Sequence, residues 1–411
     1  MELNLYFWII LATVVGLHLL DTIAESLNLK ALRPELPDQF KDVFDQEKYA
    51  KSQNYTRETT RFGILESTFH LILFLGFWFL GGFGWLDGII RGWGFGSIVN
   101  GLLFFSVLYL TTFLSSLPFT IHDTFKIEAK YGFNKTTKGT FIADQIRGLA
   151  LGALIGLPLL ALILWLFESV ENAWLWAWIA VTVFMLLMVY LAPRFIMPLY
   201  NKFSPLDDEA LKAEIAKMSE ECEFPLQEVQ IMDGSKRSAK SNAFFTGFGK
   251  NRKIALFDTL VEKHTHPELV AVLAHEIGHF KRKHILQGIG LSILQVGIIF
   301  FLLGLFVNND GLCRAFGVEQ TSTYASFVFF LMLYKPVGKV LSIGMSILSR
   351  KNEFEADAYA AEVTGSPESL VSALKKLSSD NLSNLTPHPF YVFMNYSHPP
   401  MTERLAALEQ A

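Results

Sequence analysis

Apolar residues in this chain run in long, nearly uncharged stretches separated by polar connections. Several stretches are about 17 to 25 residues long, the length that crosses roughly 30 Å of hydrocarbon as a helix. They predict spans at 4–20, 63–85, 98–120, 148–167, 173–192, 285–307 and 324–348. Lys335, Pro336 and Lys339 interrupt the last, so it reads as a short span followed by a helix emerging into water. Basic residues are unevenly shared among the connections. Segment 21–62 carries Lys30, Arg33, Lys41, Lys48, Lys51, Arg57 and Arg61, and segment 121–147 carries Lys126, Lys130, Lys135, Lys138 and Arg147. By contrast, 86–97 has only Arg91, 168–172 has none and 308–323 has only Arg314. For short loops this bias marks the cytoplasmic side, which predicts an outside N-terminus, a cytoplasmic C-terminus and a cytoplasmic 193–284 segment.

The polar segment has its own periodicity. A helix is expected over 207–221, short strands at 228–232, 242–246 and 253–257, and then a helix over 269–283. Thr265, Pro267 and Glu268 supply that helix with an N-cap, an early proline and a capping-box glutamate. After the last span, 350–364 and 368–377 read as helices separated by Gly365-Ser366-Pro367. Four regions follow: an N-terminal membrane region at 1–192, a polar segment at 193–284, two further spans at 285–348 and a C-terminal polar segment at 349–411.

Composition sharpens this picture. Of 411 residues, 51% are hydrophobic and 18% charged, which fits a polytopic membrane protein better than a string of soluble domains. The net charge of −4 gives no support to nucleic-acid binding. The first span has no basic n-region and is followed by Asp21, so it is expected to stay as an anchor. Cys222 and Cys313 fall on opposite sides of the predicted membrane, leaving neither a disulfide framework nor a cysteine metal site.

The strongest chemical signal is His275-Glu276-Ile277-Gly278-His279 within the 269–283 helix. Four residues turn a helix through about 400° and advance it roughly 6 Å, so both imidazoles share a face and can bind one zinc ion. Glu276 lies beside them, out of reach of that ion but able to take a proton from water that zinc has acidified. The bland alternative is two surface histidines flanking a solvated glutamate. Apolar Leu269, Val270, Val272, Leu273 and Ile277 argue against it by placing the helix on a buried face. A catalytic zinc needs a third protein ligand. Glu353 and Asp357 share a helix face, so Glu353 can ligate while Asp357 steadies His275; spacing alone leaves ordinary helix surface equally open, and Glu355 reads as such an outward residue.

Further segments make the pattern specific: Glu128 to Thr137 (EAKYGFNKTT), Ser241 to Gly247 (SNAFFTG), Asn352 to Asp357 (NEFEAD), and Tyr396-Ser397-His398-Pro399-Pro400 with Arg404. With HEIGH, and in this order over nearly the whole chain, they resemble the type-1 CAAX prenyl proteases, seven-span membrane zinc metallopeptidases. The resemblance implies a mostly α fold whose seven helices enclose a water-filled chamber, closed by a gluzincin-like region with a small β-hairpin or sheet. It implies Glu353 as third zinc ligand and His398 near the developing oxyanion, where a capping or packing histidine is the alternative. Arg404 is expected to pair with Glu353 or Asp357. Asn242, Ala243 and Phe244 read as a strand whose edge can bind an extended substrate. His18, Glu66 and His70 lie within spans, as chamber lining or as helix-packing partners. His264, His266 and His284 are expected to be solvated or interfacial.

The leading function is therefore a zinc-dependent membrane endopeptidase, and the resemblance implies removal of the last three residues from prenylated CAAX proteins. Broader quality control of membrane proteins is a second enzymatic reading. A seven-span receptor or transporter with a structural zinc is the non-enzymatic one. The expected partners are a peptide or protein substrate and lipid, in a bacterial inner membrane or the endoplasmic reticulum.

Overall fold

The structure, a computed structural model, describes residues 1–224, 226–246 and 252–410. Among the described residues, seven helices are long and apolar enough to cross a membrane: α1 (Leu5–Ala31), α2 (Gln46–Phe79), α4 (Ser97–Tyr131), α5 (Lys138–Ser169), α6 (Ala173–Tyr200), α10 (His284–Phe306) and α12 (Thr323–Thr364). The short helix α3 (Gly82–Gly92) follows α2. It corrects the predicted 63–85 span, because Gly81 at φ +77° reverses the chain in a left-handed conformation that glycine adopts without strain.

The ends of the spans explain the architecture. The larger hydrophobic core joins Phe7, Ile10 and Val14 at the start of α1, Trp78 at the end of α2, Phe104 at the start of α4, and Leu164 and Leu166 near the end of α5. Ala177 of α6, Phe300 and Leu303 of α10, and Tyr324 to Tyr334 of α12 complete it. Starts and ends alternate, as successive antiparallel crossings require, so all seven helices converge on one side. Helices α3 and α11 (Asp310–Ala315) close that side, where the Trp78 indole donates to the carbonyl of Ala315 at 2.9 Å. Along the spans little is buried: in the most apolar window of each, 6% to 28% of residues are buried within the protein.

The seventh span corrects the expectation of a break. Helix α12 runs unbroken for 42 residues through Pro336 and ends at Gly365, φ +61°. Lys339 is tolerated because it pairs with Asp21 of α1 at 2.8 Å. At 1.5 Å per residue the helix is about 63 Å long, roughly twice the hydrocarbon thickness. Its far half therefore carries Glu353 and Asp357 out of the membrane, and the predicted separate 350–364 helix is this extension.

On that side sits a second core. It joins Phe40 and Phe44 from the first connection and Tyr49 of α2 with Leu211 and Ile215 of α7 (Glu209–Glu221), Leu260 of α8 (Asp258–Lys263) and Leu269, Leu273 and Ile277 of α9 (His266–Lys281). Ala360 of α12, Leu370 and Leu374 of α13 (Pro367–Asp380), and Leu405 and Leu408 complete it, so the 193–284 and 349–411 regions share one interior. A four-stranded sheet flanks this core in the order β1 (Phe203–Pro205), β2 (Leu226–Met232), β4 (Arg252–Phe257), β3 (Ala243–Thr246). Strands β2 and β4 are parallel, while β3 is antiparallel to β4 with Phe244 opposite Ala255. Strand β3 is thus an edge strand. Gly247 of the SNAFFTG segment lies outside the described residues. Cys222 belongs to the second core and Cys313 to the first, both buried and free.

His18 and His70 act between helices. His18 Nε2 lies 3.3 Å from the Thr68 hydroxyl, linking α1 to α2, and His70 Nε2 lies 3.1 Å from the Ser116 hydroxyl, linking α2 to α4, with Glu66 3.9 Å from His70.

Candidate metal and catalytic centre

Helix α9 begins as its sequence dictates. Its capping box is complete, with Glu268 Oε2 accepting from the Thr265 N–H at 2.9 Å. Glu268 also takes the Lys376 ammonium at 2.7 Å and the Ser372 hydroxyl at 2.6 Å, which fixes α9 on α13. Two turns on, the helix presents His275, Glu276 and His279 to α12. Gly278 permits this approach: a Cβ there would lie 3.1 Å from both the Ala356 Cα and the Tyr359 ring, and 3.2 Å from the Ala356 carbonyl.

Across that narrow contact the three expected ligands converge. His275 Nε2 and His279 Nε2 are 3.1 Å apart, and Glu353 places its oxygens 3.6 Å from the first and 3.2 Å from the second. Donors about 2.0–2.1 Å from a tetrahedral zinc ion stand roughly 3.3 Å from one another, so this set fits one such ion without rearrangement. All three donor atoms lie within 4.8 Å of one another. The rings are 84° apart, so each nitrogen approaches the shared point from its own direction.

Behind the three candidate donors stands a charged layer. Asp357 Oδ1 lies 2.9 Å from His275 Nδ1, and the Arg404 guanidinium, from α15 (Met401–Leu408), grips Asp357 at 2.7 and 2.5 Å. The same arginine reaches Glu353 Oε2 at 3.2 Å. Asp357 and Arg404 are buried. Arg404 therefore pairs with both carboxylates, where the sequence left the choice open. Glu276 is half-buried, and its burial pushes the carboxyl above the ordinary carboxylate range, with His275 and His279 pulling it back only in part.

His398 stands on the open side, its side chain 65% exposed, with Nε2 3.4 Å from Glu353 and Nδ1 3.0 Å from the Ser397 hydroxyl. It lines a cavity of about 210 Å³ with Asn242, Ala243, His275, Glu276 and Glu353. Phe244 does not line this cavity. Side chains alternate across a strand, and its ring packs edge-on against Phe257 with centroids 6.1 Å apart. A second cavity, about 400 Å³, opens from Glu276 and His279 toward the membrane helices between Ile285, Leu291, Met345 and Leu348.

The expectation for His284 and His264 fails here. His284 is not solvated: it is 8% exposed and packs behind His279, Nδ1 to Nδ1 at 3.1 Å. Glu355 is outward as expected, its side chain 40% exposed, and its Oε2 lies 3.1 Å from His284 Nε2. His264 is also buried, with Nδ1 3.0 Å from the Leu260 carbonyl, whereas His266 lies at the surface 2.9 Å from Asp208. Gly278 and Ala356 went unnoticed in the sequence because their role is the absence of side-chain bulk. His284 had a legible signal, its place five residues after His279, but no spacing shows that the chain folds back.

Comparison with known proteins agrees with this geometry. The family described as CAAX prenyl protease N-terminal, five membrane helices, matches residues 25–202, and peptidase family M48 matches residues 205–411. A CAAX prenyl protease 1 homolog of Arabidopsis thaliana is 33% identical, covering 97% of each chain. CAAX prenyl protease 1 of Saccharomyces cerevisiae is 35% identical, covering 92% of this chain and 90% of its own. The crystal structure of S. mikatae Ste24p superposes with a TM-score of 0.93 at 32% identity, over 99% of this chain and 100% of that one. Seven candidate spans joined to a His-His-Glu cluster, matched over nearly the whole chain at such identity, place the chain in peptidase family M48 among the CAAX prenyl proteases, as a membrane metalloprotease.

Proposed function

We propose that the chain hydrolyses peptide bonds near the C-terminus of prenylated CAAX proteins, with zinc held by His275, His279 and Glu353. The observation that carries this reading is a His-His-Glu centre open at once to the edge strand β3 and to a cavity between α10 and α12 whose far wall is apolar at Ile285, Leu291, Met345 and Leu348. Bound there, zinc supplies a Lewis acid that polarises the scissile carbonyl and acidifies water. Glu276 then takes the proton from the attacking water and passes it to the leaving amine. Its raised proton affinity suits a group that must hold that proton between the two steps. The β3 edge aligns an extended peptide by backbone pairing at Asn242 and Ala243, with Phe244 contributing main chain only. His398, exposed beside Glu353, is placed to donate to the oxyanion, while Arg404 and Asp357 hold Glu353 and His275 in position. Among Ile285, Leu291, Met345 and Leu348 the second cavity suits a lipid chain attached to the substrate. The basic connections on the catalytic side support a cytoplasmic orientation.

The test compares wild type and Glu276→Gln on a farnesylated C-a-a-X peptide and its unprenylated counterpart. The expected result is about one zinc per chain in both proteins. Cleavage is expected in the wild type alone, lower by about 10² to 10⁴ in the variant. Cleavage indifferent to the prenyl group would favour broader quality control, and zinc without cleavage of any peptide would favour a receptor or transporter.

A further inference from the structure

We propose that His284 and Glu355 form a positioning relay behind His279, fixing the tautomer and ring orientation in which that residue ligates the metal. The inference rests on the metal-site reading above and assigns work to two residues that reading leaves idle. His275 has a carboxylate at its back, Asp357 at 2.9 Å. Behind His279 stands instead another imidazole: His279 Nδ1 meets His284 Nδ1 at 3.1 Å, and His284 Nε2 meets Glu355 Oε2 at 3.1 Å.

One arrangement of protons satisfies this chain together with ligation. Nε2 of His279 faces His275 and Glu353, so a ligating lone pair there puts the ring proton on Nδ1. His284 Nδ1 must then accept, which places its own proton on Nε2, and that proton points at a carboxylate. Every donor meets an acceptor. The opposite polarity would put a proton on the ligating nitrogen of His279.

The local fold is built for this contact. Helix α9 ends at Lys281, and Lys283 takes φ +61° and ψ +24°, a left-handed conformation that residues bearing a Cβ rarely adopt. The reversal sets His284, the first residue of α10, against the last turn of α9. With its side chain only 7% exposed, the ring has little access to water that could replace either partner. Glu355 lies two residues from both Glu353 and Asp357 on α12, so it faces away from the metal and toward α10. One helix thereby supplies the third ligand, the carboxylate behind His275 and the carboxylate that terminates the relay behind His279.

The test measures zinc affinity by chelator competition and zinc release rate on full-length protein in detergent, together with melting of the metal-free chains. His284→Phe keeps the ring volume and removes both hydrogen bonds. It is expected to weaken zinc binding about 10- to 100-fold, the usual loss when a ligand's outer partner is removed, while metal-free melting matches the wild type. His284→Asn, whose amide oxygen can take the Nδ1 proton of His279, is expected to recover most of that loss. Glu355→Leu, at a partly exposed position, is expected to weaken binding severalfold. An affinity for His284→Phe within about twofold of wild type overturns the relay. So does an Asn variant no better than the Phe variant alongside a Leu variant that binds as wild type. If His284→Phe does not fold, Glu355→Leu decides alone: a severalfold loss supports the relay and wild-type affinity overturns it. A wild-type chain that binds no zinc overturns the reading of the site, and the relay with it.

Discussion

Asp357 is where the energetics of single residues are most exposed. It is 2% exposed and meets both His275 and the buried Arg404 guanidinium, so removing its charge strands a cation in a low-dielectric setting. Arg404 retains Glu353 at 3.2 Å, which moderates the loss. Asp357→Asn is expected to cost about 2–3 kcal/mol of stability, in line with losing a charge-assisted hydrogen bond. It should also lower zinc affinity about 10- to 100-fold, because His275 loses a charged partner. Denaturation in detergent and chelator competition read the two effects separately. Residue types and spacing gave the His275, Glu276 and His279 group directly. His398 and Arg404 came from resemblance, and the contact of the partly exposed Glu355 with His284 had no signal in the spacing, because its partner lies 71 residues away.

Helix elements set how closely those residues approach. The contact of α9 with α12 is as tight as Gly278 allows, so Gly278→Ala forces Ala356 or Tyr359 to yield by a few tenths of an ångström. A larger side chain, as in Gly278→Leu, must separate the helices and draw Glu353 from the two histidines. Its expected cost is about 1–3 kcal/mol of overpacking, with loss of stoichiometric zinc, both checked by melting and metal analysis. At the start of α9, burial alone would raise the Glu268 carboxyl. Lys376, Ser372 and the Thr265 N–H outweigh that and hold it below the ordinary value. A carboxyl whose folded value is depressed contributes stability above its unfolded value, near pH 4.3, and loses it as the pH falls. The melting temperature of the wild type is therefore expected to drop more steeply on acidification below about pH 4.5 than that of Glu268→Gln, which should start lower and show a shallower dependence.

At the scale of the whole molecule, the EAKYGFNKTT segment couples the membrane helices to the hydrolytic region. Lys240, three residues before β3, reaches Glu128 at 3.0 Å and the Tyr55 hydroxyl at 2.8 Å, and sits 4.5 Å over the Phe133 ring. The main chain adds Ala239 N–H to the Phe133 carbonyl and Lys135 N–H to the Arg237 carbonyl, both at 3.0 Å, while the Arg237 guanidinium holds Asp144 at 2.8 and 3.0 Å. These links anchor the approach to the edge strand without touching His275, His279 or Glu353. Lys240→Met is accordingly expected to leave zinc content unchanged and to lower kcat/KM for the prenylated peptide about 10- to 100-fold, the penalty of a slightly misplaced substrate. Steady-state kinetics beside metal analysis would show it. A fall in zinc content would mean that the segment supports the metal site itself.

The sequence by itself determined the number of spans, their alternation, the zinc-type motif and the capped helix that carries it, because hydrocarbon thickness, helical period and capping chemistry act on neighbouring residues. Lys335, Pro336 and Lys339 predict an interruption of the seventh span that the structure does not have, and the partner that lets Lys339 stay within the helix, Asp21, is more than three hundred residues away. Tertiary structure alone decided that α12 runs out of the membrane to deliver Glu353, that Arg404 bridges two carboxylates, and that His284 folds back on His279. Each of these depends on a helix–helix approach or a chain reversal. Such contacts follow from the packing of distant segments, and no local pattern of polar and apolar residues records them.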